Sequence, residues 1–270
     1  MHKIKVSKKI DIALEGGVKA EEAQQVVSKK KPLISIVTVV YNGEKYIEST
    51  ILSVINQFDS NIEHIVIDGG SNDGTIKILE KYNNKINYWV SEKDEGIYDA
   101  MNKGINLADG CWIHFVNAGD CLYNNSYDNA IEILKNGKCE VLAGGYIVKP
   151  ANKKKIEKSF LPNSKVNWKM PSSHNAIIYK KSVLKDFKFN LKFKCAADFD
   201  QLNRIKKQFH IVNCYDTIIS IRDDGFISKN KLISFREYLN ICWFDVNKLY
   251  GVYWFLRLSI EMIFVKIKLR

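Results

Sequence analysis

The run Ser91-Glu92-Lys93-Asp94-Glu95-Gly96-Ile97-Tyr98-Asp99-Ala100-Met101-Asn102-Lys103-Gly104, followed by Val116-Asn117-Ala118-Gly119-Asp120, gathers acids and glycines where a strand ends, a helix starts and a second strand ends. α/β enzymes build nucleotide and metal sites at such strand ends, which points to a transferase. Asp120 follows an apolar strand and sits beside Asn117, so one carboxylate and a ligand's phosphates would suffice for a divalent cation. Mg²⁺ and Mn²⁺ take oxygen ligands, and commonly only one or two from protein when a diphosphate supplies others. A helix-capping aspartate is the structural alternative. Asp68 closes another apolar run in Ile67-Asp68-Gly69-Gly70-Ser71-Asn72-Asp73-Gly74-Thr75, where glycines admit a ligand close to the backbone and the acid can accept from a base or ribose. An ordinary turn capped by Asp73 would use the same residues. The G-x-G-x-x-G fingerprint is absent, which argues against a dinucleotide oxidoreductase.

The elements that would hold these residues alternate. Leu33 to Val40 is almost continuously apolar and β-branched, as suits a strand covered on both faces, and Tyr41-Asn42-Gly43 turns into a helix running through Ile55. Ile62 to Ile67 reads as a second strand, with a helix from Thr75 to Tyr82 capped by Asp73. Tyr88 to Val90 and Cys111 to Val116 are further strands, separated by a helix from about Ile97 to Leu107. This order predicts an α/β fold, a mainly parallel sheet with helices on both faces and its ligand at the carboxyl ends of the strands. After Val141 to Ile147, the lysine-rich segment 149–158 reads as a solvated hairpin or loop. Ala176 to Tyr179 reads as a strand, Ala197 to Lys207 as a helix and His210 to Ile221 as one strand or two. This α+β half is expected to cover the site and receive a second substrate.

With 270 residues and 46% apolar content, the chain can bury one substantial core, and disorder throughout is excluded. A formal charge of +11 implies attraction to polyanions without choosing among nucleic acid, acidic lipid and phosphorylated substrate. The six cysteines form no C-x-x-C pair, so reduced, mostly buried thiols are expected. Residues 1–31 are rich in Lys, Glu, Gln and Ala and read as a loosely docked helical extension before a domain spanning 32–228. That segment lacks a signal-peptide core, and no apolar run reaches the roughly 18 residues that cross a bilayer, so a cytoplasmic protein is expected.

From 229 to 270 the pattern changes. Leu232, Phe235, Leu239, Cys242, Val246, Leu249, Tyr253, Leu256, Ile260, Ile263 and Ile267 recur at spacings of three and four, a helical seam. Trp243, Phe244, Trp254, Phe255 and Phe264 widen it, and eight Lys or Arg stand against three acids in the tail. A wide aromatic face with basic flanks fits helices lying in an anionic membrane interface, peripheral to the cytoplasmic membrane. Packing on the protein's own core, or on a second copy in a homodimer, would use the same pattern.

Taken together, Thr38-Val39-Val40-Tyr41-Asn42, Asp68-Gly69-Gly70-Ser71-Asn72-Asp73-Gly74, Asp94 through Gly104 and Asn117-Ala118-Gly119-Asp120 resemble the bacterial family-2 glycosyltransferases of surface-polysaccharide assembly, such as those of O-antigen or capsule. The likeness runs from about 32 to 225, divided into a nucleotide-sugar half, 32–148, and an acceptor half, 149–228. The resemblance implies a GT-A fold, a UDP-sugar donor, Mn²⁺ or Mg²⁺ and inversion at the anomeric carbon. By the same likeness Val39 and Tyr41 flank the nucleobase, Asp68 binds the uracil side, Asp94 and Asp99 line the nucleotide-sugar pocket, and Asp120 is the metal ligand. The family's metal motif usually carries more acids; here Asn117 and Gly119 stand where aspartates often do.

Ser173-His174-Asn175 and Cys195-Ala196-Ala197-Asp198-Phe199-Asp200 resemble the family's acceptor-side motifs, with Asp198 at the position of the catalytic base. Helix capping is the structural alternative for Asp198. Asp200 ranks behind it, since two residues along a helix it points elsewhere. His174 would orient the acceptor or a phosphate, and Arg222, with Asp223-Asp224-Gly225, resembles a loop closing over the donor, where an arginine can meet the diphosphate. The acceptor implied is a saccharide on a lipid carrier, undecaprenyl diphosphate. Two rivals have weaker support. A nucleotidyltransferase needs a basic Gly-rich phosphate loop that Tyr41-Asn42-Gly43-Glu44 does not provide. A noncatalytic carbohydrate- or nucleic-acid-binding protein would use the positive charge, yet the basic residues are scattered and carry no nucleic-acid-binding signature.

Overall fold

In chain order the elements are β1 (Leu14–Gly16), β2 (Ile34–Val40), α1 (Ile47–Ile55), β3 (Ile62–Asp68), α2 (Thr75–Lys81), β4 (Tyr88–Ser91), α3 (Ile97–Leu107), β5 (Trp112–Phe115), β6 (Cys121–Leu122), α4 (Tyr127–Lys135), β7 (Val141–Lys149), β8 (Glu157–Ser159), a 3₁₀ turn (His174–Ala176), β9 (Ile177–Lys180), α5 (Lys181–Asp186), α6 (Ala197–Lys206), β10 (Ile211–Asp223) and α7 (Lys231–Ile241), which runs into a wide π-helical turn, Cys242–Val246. The computed structural model describes residues 13–19, 31–57, 61–137, 139–149, 157–159, 170, 172–209, 211–223, 231–246, 248–249, 251–252 and 255–256.

One mixed sheet takes the order β1-β4-β3-β2-β5-β9-β7-β10-β6, with β8 paired to β7. β4, β3, β2 and β5 are mutually parallel, β9 is antiparallel to both β5 and β7, and β10 runs parallel to β7. From β2 the chain moves outward to β3 and β4, then returns to pair β5 on the other side of β2. That reversal opens a crevice at the carboxyl ends of β2 and β5, the usual ligand position in such sheets.

Every residue of β2 is buried. Ile34 and Ile36 pack with Trp112, Tyr127, Ala130 and Leu134 on one face, whereas Val37 and Val39 meet Tyr98, Met101 and Ile105 of α3 on the other. This alternation follows from the pleat and produces three layers. Helix α3 sits very close to the sheet: a Cβ on Gly104 would lie 2.3 Å from Cγ1 of Val37.

Several expectations change. The described part of the amino-terminal segment opens with the edge strand β1, antiparallel to β4, and reaches a helical turn at Val18 and Lys19; residues 20–30, where the expected helix would continue, lie outside the described residues. Lys19 meets the buried carboxylate of Glu63 as well as Asp109, 2.7 Å away. Burial alone would lower the Lys19 ammonium, but the two acids outweigh it and hold its pKa above the ordinary lysine value. This partner requirement docks the segment, which composition could not reveal. Lys149 closes β7, and Glu157 and Lys158 pair with it through β8, so the ends of the lysine-rich segment are strand. The residues 150–156 between them lie outside the described residues. The uncertain stretch near 210–221 is one strand, accommodated by register shifts between Cys214 and Ser220.

Candidate active site

The loops after β2 and β3 are laced together. The Asn42 N–H donates to Ser71 Oγ (2.7 Å), Asn42 Oδ1 accepts from Asn72 N (2.9 Å), and Gly43 N donates to Thr75 Oγ1 (3.0 Å). Asn42 takes the left-handed conformation (φ 49°), which asparagine tolerates better than most residues. Tyr41, ahead of it, is 64% exposed. Asp73 accepts from Thr75 N (2.9 Å), so it serves the start of α2 from one residue outside the cap position, which Gly74 occupies. Asp68 is fully buried; its Oδ2 accepts from Gly70 N, Ser71 N and Ser91 Oγ (3.1, 2.9 and 2.6 Å) and its Oδ1 from Ser71 Oγ. That carboxylate therefore shapes the loop, and its remaining accepting capacity lies on Oδ1.

Asp94 reaches this loop from β4. A Cβ on Gly69 would sit 2.5 Å from Asp94 Oδ2, so a larger residue there obliges the carboxylate to move. Burial raises the pKa of Asp94; the Gly96 N–H and Lys103 oppose the rise, and the charges of Asp99 and Asp68 add to it. Asp68, Asp94 and Asp99 thus share one electrostatic neighbourhood. Asp99 accepts from Glu95 N (3.1 Å), and Lys103 lies 3.7 Å from Asp99 and 2.8 Å from Glu92. Gly96, at φ 122°, turns the chain from this loop into α3.

The Asp120 loop is held by α1. Thr50 Oγ1 donates to the Asp120 carbonyl (2.7 Å) and accepts from Gly119 N (3.0 Å), while Gly119 adopts φ 100°. Asn117 Oδ1 is buried without a hydrogen-bond partner among the described residues. No three acidic, thiol or imidazole side chains converge there or elsewhere among the described residues to hold a metal unaided. One carboxylate and an idle amide oxygen at a strand end do fit a cation that takes its other ligands from a diphosphate.

Asp198 lies in the first turn of α6, and Tyr98 of α3 donates to its Oδ1 across 3.2 Å. Burial first, then the adjacent Asp198 charge, pushes the Tyr98 phenol well above 10, so it remains the donor. The acid on α6 is thereby joined to the 91–104 motif. Around it stands an aromatic wall: Tyr98 stacks on Phe189 (5.4 Å) and His174 on Phe115 (5.3 Å). Both His174 ring nitrogens, the Asn175 amide and the Tyr179 hydroxyl are buried without partners among the described residues. Burial drives His174 down to about 4, so its imidazole is neutral near pH 7. Buried polar groups without a protein partner call for one from outside the chain, an ordered water or a ligand.

Other expected residues fall elsewhere. The Val39 side chain is buried in the core beneath the cleft, leaving Tyr41 as the ring presented to solvent. Asp200 is 5% exposed and paired with Arg204, whose Nη2 is 3.0 Å away. Arg222 belongs to β10, opposite Val148, because the strand continues through Asp223; a closing loop does not begin there, and Asp224-Gly225 lie outside the described residues. Sequence reasoning missed the roles of Ser71, Ser91 and Tyr98, which stood unassigned inside the quoted motifs, and of Thr50, which carries no local signal.

The tail divides. Phe235, Tyr238, Leu239, Ile241 and Cys242 pack on Ala196 and Phe199 of the acceptor half, while Leu232, Phe244, Leu249, Phe255 and Leu256 are more than half exposed. No helix among the described residues is long and apolar enough to cross a membrane.

Among known families, Glycosyl transferase family 2 matches residues 35–197. An uncharacterized glycosyltransferase of Rickettsia conorii is 28% identical over 226 residues, 78% of this chain and 37% of that protein. TuaG of Bacillus subtilis, a glycosyltransferase named for teichuronic acid biosynthesis, is 32% identical over 119 residues, 43% of this chain and 47% of its own length. The matched chain thus spans less than half of either relative. Among solved structures, S. aureus TarS 1-349 in complex with UDP-GlcNAc superposes with a TM-score of 0.60 at 21% identity, covering 81% of this chain and 69% of that one. The mannosyltransferase PcManGT from Pyrobaculum calidifontis, with GDP-Man and Mn²⁺, gives 0.59 at 16% identity over 78% and 65%. These likenesses establish the fold, which is GT-A.

Proposed function

Because the chain belongs to glycosyl transferase family 2, we propose that it is an inverting glycosyltransferase that moves a hexose or acetamidohexose from a UDP-sugar to a saccharide of bacterial surface-polymer assembly, carried on undecaprenyl diphosphate. The observation that carries this reading is the 3.2 Å hydrogen bond from Tyr98 to Asp198, which joins a carboxylate of the acceptor half to the nucleotide-sugar motif. In the reaction the acceptor hydroxyl oxygen bonds to the anomeric carbon as the bond to the diphosphate oxygen breaks. Asp198 takes the hydroxyl proton.

Tyr41 supplies an exposed ring for the base, and Asp68 holds the loop beneath it. Asp94 and Asp99 line the ribose and sugar side. Mn²⁺ or Mg²⁺, when bound, stabilises charge on the leaving diphosphate; Asp120 and Asn117 are the residues that would hold it. His174, neutral and unpartnered among the described residues, is suited to accept or donate a hydrogen bond to the acceptor. Asp200 supports the same region through its Arg204 pair, and Arg222 is assigned to the diphosphate by the family likeness alone. UDP as the nucleotide is supported by the TarS likeness, a metal by PcManGT, and a surface polymer by TuaG. The exposed apolar tail residues and the charge of +11 support a peripheral position on an anionic membrane, where a lipid-linked acceptor resides.

The test is a screen for UDP release with UDP-hexoses and UDP-acetamidohexoses, polyprenyl-diphosphate saccharides, and Mn²⁺ present or chelated. Asp198→Asn is expected to cut turnover about 10²-fold or more with UDP affinity retained. Near-normal turnover in that variant removes Asp198 from the role.

A further inference from the structure

We infer that Glu237, on α7, is a positioning residue for Asp198, setting the base through the backbone that precedes it. The inference rests on the reading of Asp198 as base. Glu237 lies outside the family-matched segment, which ends at residue 197. Its Oε1 accepts from Lys194 N (2.7 Å), and its Oε2 accepts from Cys195 N (2.8 Å) and Ala196 N (2.9 Å). Three consecutive amides therefore converge on one carboxylate, and Asp198 follows two residues later.

This arrangement replaces a cap that α6 lacks. Ala196 occupies the cap position and has no side chain able to accept a hydrogen bond. Glu237 satisfies amides just upstream from a different helix, and its negative charge sits at the positive end of α6. Charge-assisted bonds of this length are stronger than neutral ones and directional, so they fix the backbone from which Asp198 projects. Tyr238 adds a ring contact with Phe199 (4.6 Å), the residue after Asp198. Phe199 N in turn donates to Asp198 Oδ1 (2.9 Å). The carboxylate is thus held between Tyr98 on one side and a segment anchored by α7 on the other. A cleft of about 320 Å³ lined by Lys192, Phe193, Arg236, Glu237 and Asn240 adjoins the clamp, so shortening Glu237 does not crowd its neighbours.

Positional control of a reacting group is steep, a misplacement of about 1 Å costing about 10²-fold. In the full-length chain, Glu237→Ala is expected to lower kcat about 10- to 100-fold with UDP affinity within about twofold of wild type. Hydrogen exchange at the amides of 194–196 is expected to accelerate, and Glu237→Gln, which keeps one accepting oxygen, to restore part of both. In an Asp198→Asn background the same change is expected to cost little further, because a base already removed cannot be mispositioned. Normal kcat in Glu237→Ala beside a crippled Asp198→Asn overturns this inference alone. So does a loss that is equal in both backgrounds, or one matched by lost UDP binding. Near-normal turnover in Asp198→Asn overturns the base assignment and the positioning role with it.

Discussion

Tyr98→Phe isolates the contact that joins the two halves of the site. The phenylalanine ring keeps the stack on Phe189 and the buried position, since Tyr98 is only 8% exposed, and loses only the hydroxyl 3.2 Å from Asp198. A hydrogen bond to a charged group contributes about 1.5–3 kcal/mol, and the length here exceeds the ~2.5–3.0 Å usual for O–H···O, which makes the lower figure an upper bound. Because that bond favours the ionised carboxylate, its loss makes Asp198 easier to protonate. At about 1.4 kcal/mol per tenfold, the acid limb of the kcat/KM profile should move up by as much as about one pH unit. Well below the limb, the variant should therefore run up to about tenfold slower than wild type, with the two converging at the alkaline plateau. Tyr98 itself stays protonated across that range, its phenol being held well above 10. The assay is initial-rate UDP release against pH with saturating acceptor. An acid limb that superimposes on wild type would refute either the base assignment or its link to α3.

Three further outcomes are expected. Gly69→Ala places a Cβ against the Asp94 carboxylate and obliges it to move from its place in the nucleotide-sugar pocket, so the donor KM should rise about fivefold or more; an unchanged KM refutes the crowding. Burial pushes His64, His114 and His174 down to about 3, 4 and 4, so the unfolded chain binds protons near pH 6.5 that the folded chain refuses. Stability is then full above pH 6.5 and falls as pH drops toward 4, by about 1.4 kcal/mol per pH unit for each histidine. Urea midpoints that match at pH 7.5 and 5.5 would contradict it. Finally, Phe244→Ser with Phe255→Ser, both on the exposed side of the tail, should cut flotation with anionic vesicles at least fivefold while leaving UDP affinity intact; unchanged flotation argues against a membrane-facing tail.

The parallel core and the order of its strand-end acids were legible because their signals are local. An almost continuous β-branched run from Ile34 to Val40 reads as a covered strand, and the apolar spacing of Ile97 to Leu107 marks a helix of those bounds. β1 escaped notice because three residues paired to an edge carry too little pattern to be seen, and their partners lie far along the chain. The tail shows the same limit from the other side. Its periodicity identified one stripe, yet Phe235, Leu239 and Cys242 of that stripe pack on the acceptor half while Leu232, Leu249 and Leu256 remain exposed. Spacing says which residues share a face, and the shape of the neighbouring surface decides how much of that face is covered.

Composition, apolar rhythm and the placing of acids and glycines after strands were enough for a family, a fold class and a set of carboxylates, since each depends on near neighbours in the chain. The partners of those carboxylates were decided by folding alone. Tyr98 and Asp198 are 100 residues apart, Thr50 and Asp120 are 70 apart, and Glu237 reaches back 43 residues to Lys194. A hydroxyl or carboxylate that donates to or accepts from a distant atom has no signature of its own in the chain. Its role exists only once the sheet has brought both ends within about 3 Å, where directional bonds form.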